Sequence, residues 1–145
     1  MRHGKGASVG IIGRSYEGDY INDIPHGIGK KTFSTGETYE GQFKDGRIHG
    51  KQVYTHPDGR RYEGDTVDGE FEGYGVLTNA KGEVYTGEWK NGLREGQGKQ
   101  IEKDGGVYEG KWKAGKKEGL GFQTFPNTTR PKKGIFVKGD VVKWL

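Results

Sequence analysis

Tyr16, Tyr39, Tyr62, Tyr85 and Tyr108 recur at a constant interval of 23 residues. That interval constrains the fold more than any other feature, because repeats are to be sought before local structure. Four of the five open a Tyr-Glu-Gly triplet, and Tyr85-Thr86-Gly87 is the exception. Tyr20, Phe43, Thr66, Trp89 and Trp112 follow four residues after each tyrosine. Glycines complete the grid: Gly46, Gly69, Gly92 and Gly115, with Asp23 in that place in the first copy; then Gly27, Gly50, Gly73, Gly96 and Gly119. Gly29, Gly75, Gly98 and Gly121 come two residues later, with Gln52 as the outlier, and Gly36, Gly59, Gly82 and Gly105 finish the unit. Gly4, Gly6 and Gly13 stand one period before Gly27, Gly29 and Gly36, and Gly134, Phe136 and Gly139 copy the start of a sixth unit, shifted by one residue.

Each unit reads as two strands. Asp45-Gly46, Asp68-Gly69 and Asn91-Gly92 are tight hairpin turns, because both residues tolerate positive φ. Ala114-Gly115 and Asn22-Asp23 are weaker versions. An even loop puts Gly18 opposite Gly27 and Tyr16 opposite Gly29, with a tyrosine ring covering bare glycine backbone. The odd period keeps every tyrosine on one face only if the second loop is odd. A three-residue loop ending in a left-handed glycine supplies that, as in His56-Pro57-Asp58-Gly59 and Asn79-Ala80-Lys81-Gly82. The expected fold is all-β: an elongated single-layer antiparallel meander of about twelve strands, on the order of 50–60 Å long at ~4.8 Å per strand. Its stability comes from neighbouring repeats, and its raw edges invite pairing with another copy.

The pattern resembles the MORN repeat family, whose signature is Tyr-Glu-Gly-x-Trp-x-x-Gly-x-x-x-Gly-x-Gly. The resemblance covers nearly the whole chain. Residues 1–15 are expected to form an N-terminal half repeat or cap, 16–130 five full repeats, and 131–145 a degenerate C-terminal half repeat or cap. Asp23, Gln52, Thr66 and Thr86 depart from the signature, as does the segment from Thr128 to Leu145. The resemblance implies a non-enzymatic assembly module at cytoskeletal or membrane-associated structures, and the family name reflects a proposed membrane role.

Composition agrees. Apolar residues are only 29% of the chain and glycines number 29, too little for a large two-layer core, while 12% aromatics in a regular grid argue against disorder. No stretch approaches the ~20 apolar residues of a membrane helix. There is no cysteine, which excludes a disulfide framework and fits a reducing, cytoplasmic setting. Met1 to Gly10 holds no apolar run of the secretory kind, so Asn127-Thr128-Thr129 reads as a chance sequon.

No catalytic constellation is visible. His3, His26 and His49 share one repeat position, roughly 10 Å apart by strand spacing, too far to share a metal. His56 stands in a loop without an evident partner. Glu17, Glu40, Glu63 and Glu109 form an acidic ladder expected to alternate with Ile28, Lys51 and Leu120 on an open face. Gly27-Ile28-Gly29-Lys30-Lys31-Thr32 lacks the gap of a phosphate loop and recurs in the repeat. The chain is therefore expected to be no enzyme, with no cofactor and no metal.

The remaining feature is the aromatic row of Tyr16, Tyr20, Tyr39, Phe43, Tyr62, Tyr85, Trp89, Tyr108, Trp112 and Phe136. A single layer is not expected to hide both faces of its rings, so the row should form an apolar groove for a helix or extended peptide of a partner protein. The alternative is a peripheral membrane module. Residues 108–145 carry nine basic and three acidic side chains, and Lys111, Lys113, Lys116, Lys117, Lys132 and Lys133 are candidates for an anionic phospholipid surface. The modest total charge of +4 and the interleaved acids disfavour nucleic acid. The expected setting is cytoplasmic, at the cytoskeleton or a membrane.

Overall fold

The computed structural model describes residues 4–9 and 15–145, and His3 and Gly13 lie outside them. The chain is all-β. Its strands are β1 (Gly4–Val9), β2 (Ser15–Ile21), β3 (Ile24–Thr32), β4 (Thr38–Lys44), β5 (Arg47–Thr55), β6 (Arg61–Val67) and β7 (Glu70–Thr78), then β8 (Val84–Lys90), β9 (Leu93–Ile101), β10 (Val107–Lys113), β11 (Lys116–Thr124), β12 (Lys132–Val137) and β13 (Asp140–Trp144). Thirteen strands among the described residues meet the expectation of about twelve, and Lys138-Gly139 turns the chain to make β13. Two compact units divide at Glu70/Phe71. Within each unit the strands lie in chain order as a single-layer antiparallel meander.

The turns follow from the residues placed there. Each two-residue turn holds both residues at positive φ, for example Asp45 at 51° and Gly46 at 80°. That geometry matches the twist of the flanking strands. Asn22 at 51° and Asp23 at 67° manage it without glycine, and Ala114 at 49° does so with a Cβ. The alternate loops have three residues. His56 N–H donates to the Arg60 carbonyl (2.9 Å), Gly59 N–H donates to the His56 carbonyl (3.0 Å), and Gly59 takes φ 102°. The loop after β11 has no glycine; Asn127 adopts the left-handed conformation at 64°, and Thr128 donates back to the Phe125 carbonyl (3.1 Å).

The register differs from the expectation in one respect. Gly18 lies opposite Gly29, not Gly27, and Tyr16 lies opposite Lys31, not Gly29. Between the Tyr20–Pro25 and Gly18–Gly29 pairs the second strand holds two more residues than the first. The same bulge recurs in β4–β5, β8–β9 and β10–β11. Two extra residues preserve side-chain parity, so the tyrosine, the glycines and the following aromatic still share one face, here called the ring face.

The bulge has a chemical cause. Its N–H groups turn away from the ladder and need other acceptors. Asp19 Oδ2 accepts from Ile28 N–H (3.1 Å) and Gln42 Oε1 from Lys51 N–H (2.8 Å); Glu88 Oε2 does the same for Gln97 N–H. A Cβ on Gly96 would sit 2.3 Å from that Glu88 oxygen. Consecutive hairpins are also tied at their turns. Gly46 N–H donates to the Pro25 carbonyl (2.8 Å) and Gly115 N–H to the Arg94 carbonyl (2.9 Å).

Candidate functional site

The ring face is built from one recurring contact. Tyr16, Tyr62, Tyr85 and Tyr108 each donate a hydroxyl hydrogen bond three residues ahead, to the carbonyls of Asp19 (2.7 Å), Asp65 (2.7 Å), Glu88 (2.8 Å) and Lys111 (2.8 Å). The phenols of Tyr16, Tyr85 and Tyr108 each lie across a glycine of the next strand, Gly29, Gly98 and Gly121. A Cβ on Gly98 would stand 2.3 Å from the Tyr85 hydroxyl oxygen, and one on Gly29 as close to that of Tyr16. The aromatic of the following position then packs edge to face. Tyr16 meets Tyr20 and Phe43 at 5.0 Å each; Tyr85 meets Trp89 at 5.0 Å and Trp112 at 5.3 Å; Tyr108 meets Trp112 at 5.2 Å and Phe136 at 4.9 Å. This geometry adds to the burial energy of the rings.

Two departures from the repeat are compensated. Thr66 stands where the other units carry an aromatic, and its hydroxyl donates to the Gly50 carbonyl (2.9 Å). Gln52 fills a glycine position, so Tyr39 cannot lie across it. Tyr39 packs on Phe33 (5.9 Å) and Tyr54 (4.8 Å) instead.

The rings do not form an exposed strip. Nine of the ten groove candidates are buried, from Tyr62 and Tyr108, fully enclosed, to Trp89 at 6% exposure; Tyr39 is half-buried. Glycine backbone lets the rings sink to the level of the sheet, and each ring covers the next. The expected groove is therefore a floor of closed rings, and the accessible surface above it comes from a second rank. At one repeat position that rank runs Pro25 and the buried Ile48 in the first unit, then the partly exposed Phe71, Arg94 and Lys117 in the second. Phe71 packs on Trp89 at 5.4 Å. The Arg94 guanidinium lies 5.7 Å from the Tyr85 centroid and 4.8 Å from that of Trp112, and donates to Gln100 Oε1. Leu77, Trp89, Arg94 and Gln100 help line a concavity of about 220 Å³ on this face. Arg94 and Leu77 escape a reading by motif, although the drift from apolar to cationic along the repeat position of Arg94 is visible in the sequence.

Burial also sets the electrostatics. Burial first, then the nearby Asp19 carboxylate, pushes the Tyr16 hydroxyl up to about 12. Burial does the same to Tyr108, also to about 12, and raises Tyr62 and Tyr85 further. These phenols are held as neutral donors.

The six lysines do not form one patch. Lys117 and Lys132 belong to the ring face. Lys117 lies 4.9 Å from the Tyr108 centroid and pairs with Glu102 (3.0 Å), and Lys132 lies 4.9 Å from the Trp144 centroid. Lys111, Lys113, Lys116 and Lys133 project from the reverse face, opposite Gln97, each other and Phe122 respectively.

Two of the candidate histidines have structural partners. His26 Nδ1 accepts from Asp45 N–H (3.3 Å), and Glu72, Glu95 and Glu118 cap Asn91, Ala114 and Lys138 N–H from the same repeat position. His56 has partners after all: its Nδ1 accepts from Asp58 N–H (3.1 Å), and its Nε2 is 3.5 Å from Glu37. The bulge also corrects the acidic ladder. Glu17 and Glu40 both face Lys30, Glu40 and Glu63 both face Val53, and Glu109 lies between Lys99 and Phe122. Ile28, Lys51 and Leu120 are not their partners.

The MORN repeat model matches five consecutive segments, residues 16–38, 39–60, 62–84, 85–107 and 108–130. No curated protein matches the chain. Phased tyrosines, their glycine floors and five matched repeats converge: the chain belongs to the MORN repeat family.

Proposed function

We propose that this chain is a non-enzymatic protein-interaction scaffold whose ring face takes a helix or extended peptide of a partner protein. MORN arrays are in general repeat modules for interaction or membrane binding, and the choice of a protein partner rests on this surface. The observation that carries it is the concavity beside Leu77, Trp89 and Arg94. It sits on a rigid floor of hydrogen-bonded rings, so a partner meets a preformed surface and little ordering entropy is lost on docking. Arg94 offers a guanidinium, with a single hydrogen bond to Gln100, beside an apolar wall. The half-buried Phe33 and Tyr39 give the first unit a comparable apolar contact. The division of the six lysines between two faces favours protein docking over one lipid footprint made from all of them. The proposed setting is cytoplasmic, at cytoskeletal or membrane-associated structures.

The test is crosslinking from a photoreactive residue at position 77, followed by binding of the captured partner to variants. Leu77→Glu and Arg94→Glu are expected to weaken it at least about tenfold, with an unchanged circular dichroism spectrum. A partner that binds both variants as well as the parent chain would count against the ring face.

A further inference from the structure

We propose a second docking surface, on the reverse face of β9–β12, for an acidic amphipathic helix of a partner protein. It is separate from the ring face and stands independently of the reading above. In the first unit the reverse face carries the row Glu17, Lys30, Glu40, Val53 and Glu63, Lys51 pairs with Asp65 (2.5 Å), and the exposed Ile28 lies opposite Gln42 rather than another apolar side chain. The second unit departs from this. Ile101, Leu120 and Phe122 remain 42–45% exposed there. Val107 pairs with Ile101, and Leu120 with Ile135, so apolar side chains occupy adjacent strands from β9 to β12. Between them lies a depression of about 660 Å³, bordered by Val107, Lys111, Leu120 and Phe122. Exposed apolar side chains grouped in this way mark an interaction site.

The charge around the patch selects the partner. Lys99, Lys111, Lys133 and Lys143 flank it, and none of them forms an ion pair among the described residues. Glu109 is the single acid in the paired rows between them. Lys111 is the most telling of the four. At its repeat position Asp19, Gln42 and Glu88 accept the N–H of the bulge, an interaction lysine cannot make. The last full repeat therefore gives up a hydrogen bond and gains a cation at the rim of the depression.

The dimensions suit a helix laid across the strands. Two strands are roughly 10 Å apart, close to the ~10.5 Å rise of seven helical residues. Apolar residues at i, i+3 or i+4 and i+7 would meet successive strands, and flanking carboxylates would meet lysines on both sides. A depression that accepts an anchoring side chain, with Glu109 beside it, suits a peptide better than a packed anionic leaflet.

The probe is a synthetic helix with Leu and Phe at i, i+3, i+4 and i+7 and glutamates on both flanks, titrated against the full chain at physiological salt. The control has lysines in place of the glutamates. The acidic helix should bind at least about tenfold more tightly than the control, and shift backbone resonances of Ile101, Leu120 and Phe122. Leu120→Asp and the pair Lys99→Glu/Lys133→Glu should each lower affinity at least about tenfold, while Leu77→Glu leaves it unchanged. The charge variants alter exposed side chains, so they report even if Leu120→Asp fails to fold. Equal binding of the two helices, no binding, or resonance shifts confined to the ring face would overturn the proposal. So would sedimentation with phosphatidylserine vesicles, at the same salt, that depends on Leu120 and Phe122, because the surface would then belong to a membrane.

Discussion

The Gln52 side-chain amide donates to the main-chain carbonyl of Gln42, the bond that a tyrosine hydroxyl makes in each of the other four repeats. One side chain thus both fills the glycine site and replaces the phenol. The substitution is imperfect, because Gln52 is 2% exposed and its Oε1 has no hydrogen-bond partner. Gln52→Ala should cost about 2–3 kcal/mol, by opening a void and leaving the Gln42 carbonyl unsatisfied. Gln52→Gly should cost less, because Tyr39 can then swing across the bare backbone and donate its hydroxyl as its counterparts do. Alanine falling below glycine in a strand reverses the usual order, and thermal unfolding of the two variants checks it. Adding Tyr39→Phe to Gln52→Gly should remove the advantage.

A single methyl group separates two kinds of glycine. Gly98→Ala would place a Cβ 2.3 Å from the Tyr85 hydroxyl and 2.5 Å from its ring carbons. The ring must leave its hydrogen bond and its neighbours, at a cost of about 2–4 kcal/mol. Gly82→Ala meets nothing within 4 Å and bears only the strain of φ 86°, about 1 kcal/mol. Urea unfolding of the pair should separate them clearly. Equal losses would mean that the ring is free to move aside.

Stability and docking should move in opposite directions at position 111. Lys111→Glu restores a bulge acceptor and should add about 0.5–1 kcal/mol, raising Tm by roughly 1–4 °C for a chain of this length. It should also weaken the acidic helix at the reverse face. The opposite change in the preceding repeat, Glu88→Ala, should cost about 1 kcal/mol, since the carboxylate accepts from Gln97 N–H at an exposed site.

Alkali should unfold the chain through its tyrosines. Tyr16 and Tyr108 ionise near 12 in the folded chain and near 10 when unfolded. The folded pKa lies above the unfolded one, so each contributes stability that is complete below pH 10 and is lost as pH rises from 10 to 12. Between those values the unfolding constant should rise up to about tenfold per pH unit for each such phenol. Tyrosinate absorbance should appear together with loss of the strand signal in circular dichroism. Tyrosinate forming well before unfolding would show the hydroxyls to be accessible.

Much of this architecture can be read from the spacing alone. Asp45-Gly46 and Pro57-Asp58-Gly59 dictate turns of two and three residues, and the odd period then fixes which face each tyrosine takes. The register could not be read that way. A bulge of two residues leaves parity untouched, so a pairing of Gly18 with Gly27 satisfies the same pattern as the observed pairing with Gly29. Exposure was also hidden. An isolated ring on one layer shows both sides, but Tyr85 is clamped between Trp89 and Trp112, and its hydroxyl is spent on Glu88. The accessible side chains, Arg94 and Leu120 among them, occupy positions where the repeat tolerates variation, and there the pattern carries least information.

The turn, the bulge and the three-residue loop together close the count of 23. An insertion of one residue within a strand would send the side chains beyond it to the other side, whereas the longer loop after β11 takes one extra residue and keeps Phe136 on the ring face. Two would keep the sides but slide each phenol off its glycine. Inside their strands, arrays of this kind therefore lengthen or shorten in evolution by whole copies, with recombination joints one period apart. Any surface such an array displays is then written in the residues that differ between copies, while its reach is set by how many times the copying machinery repeated the unit.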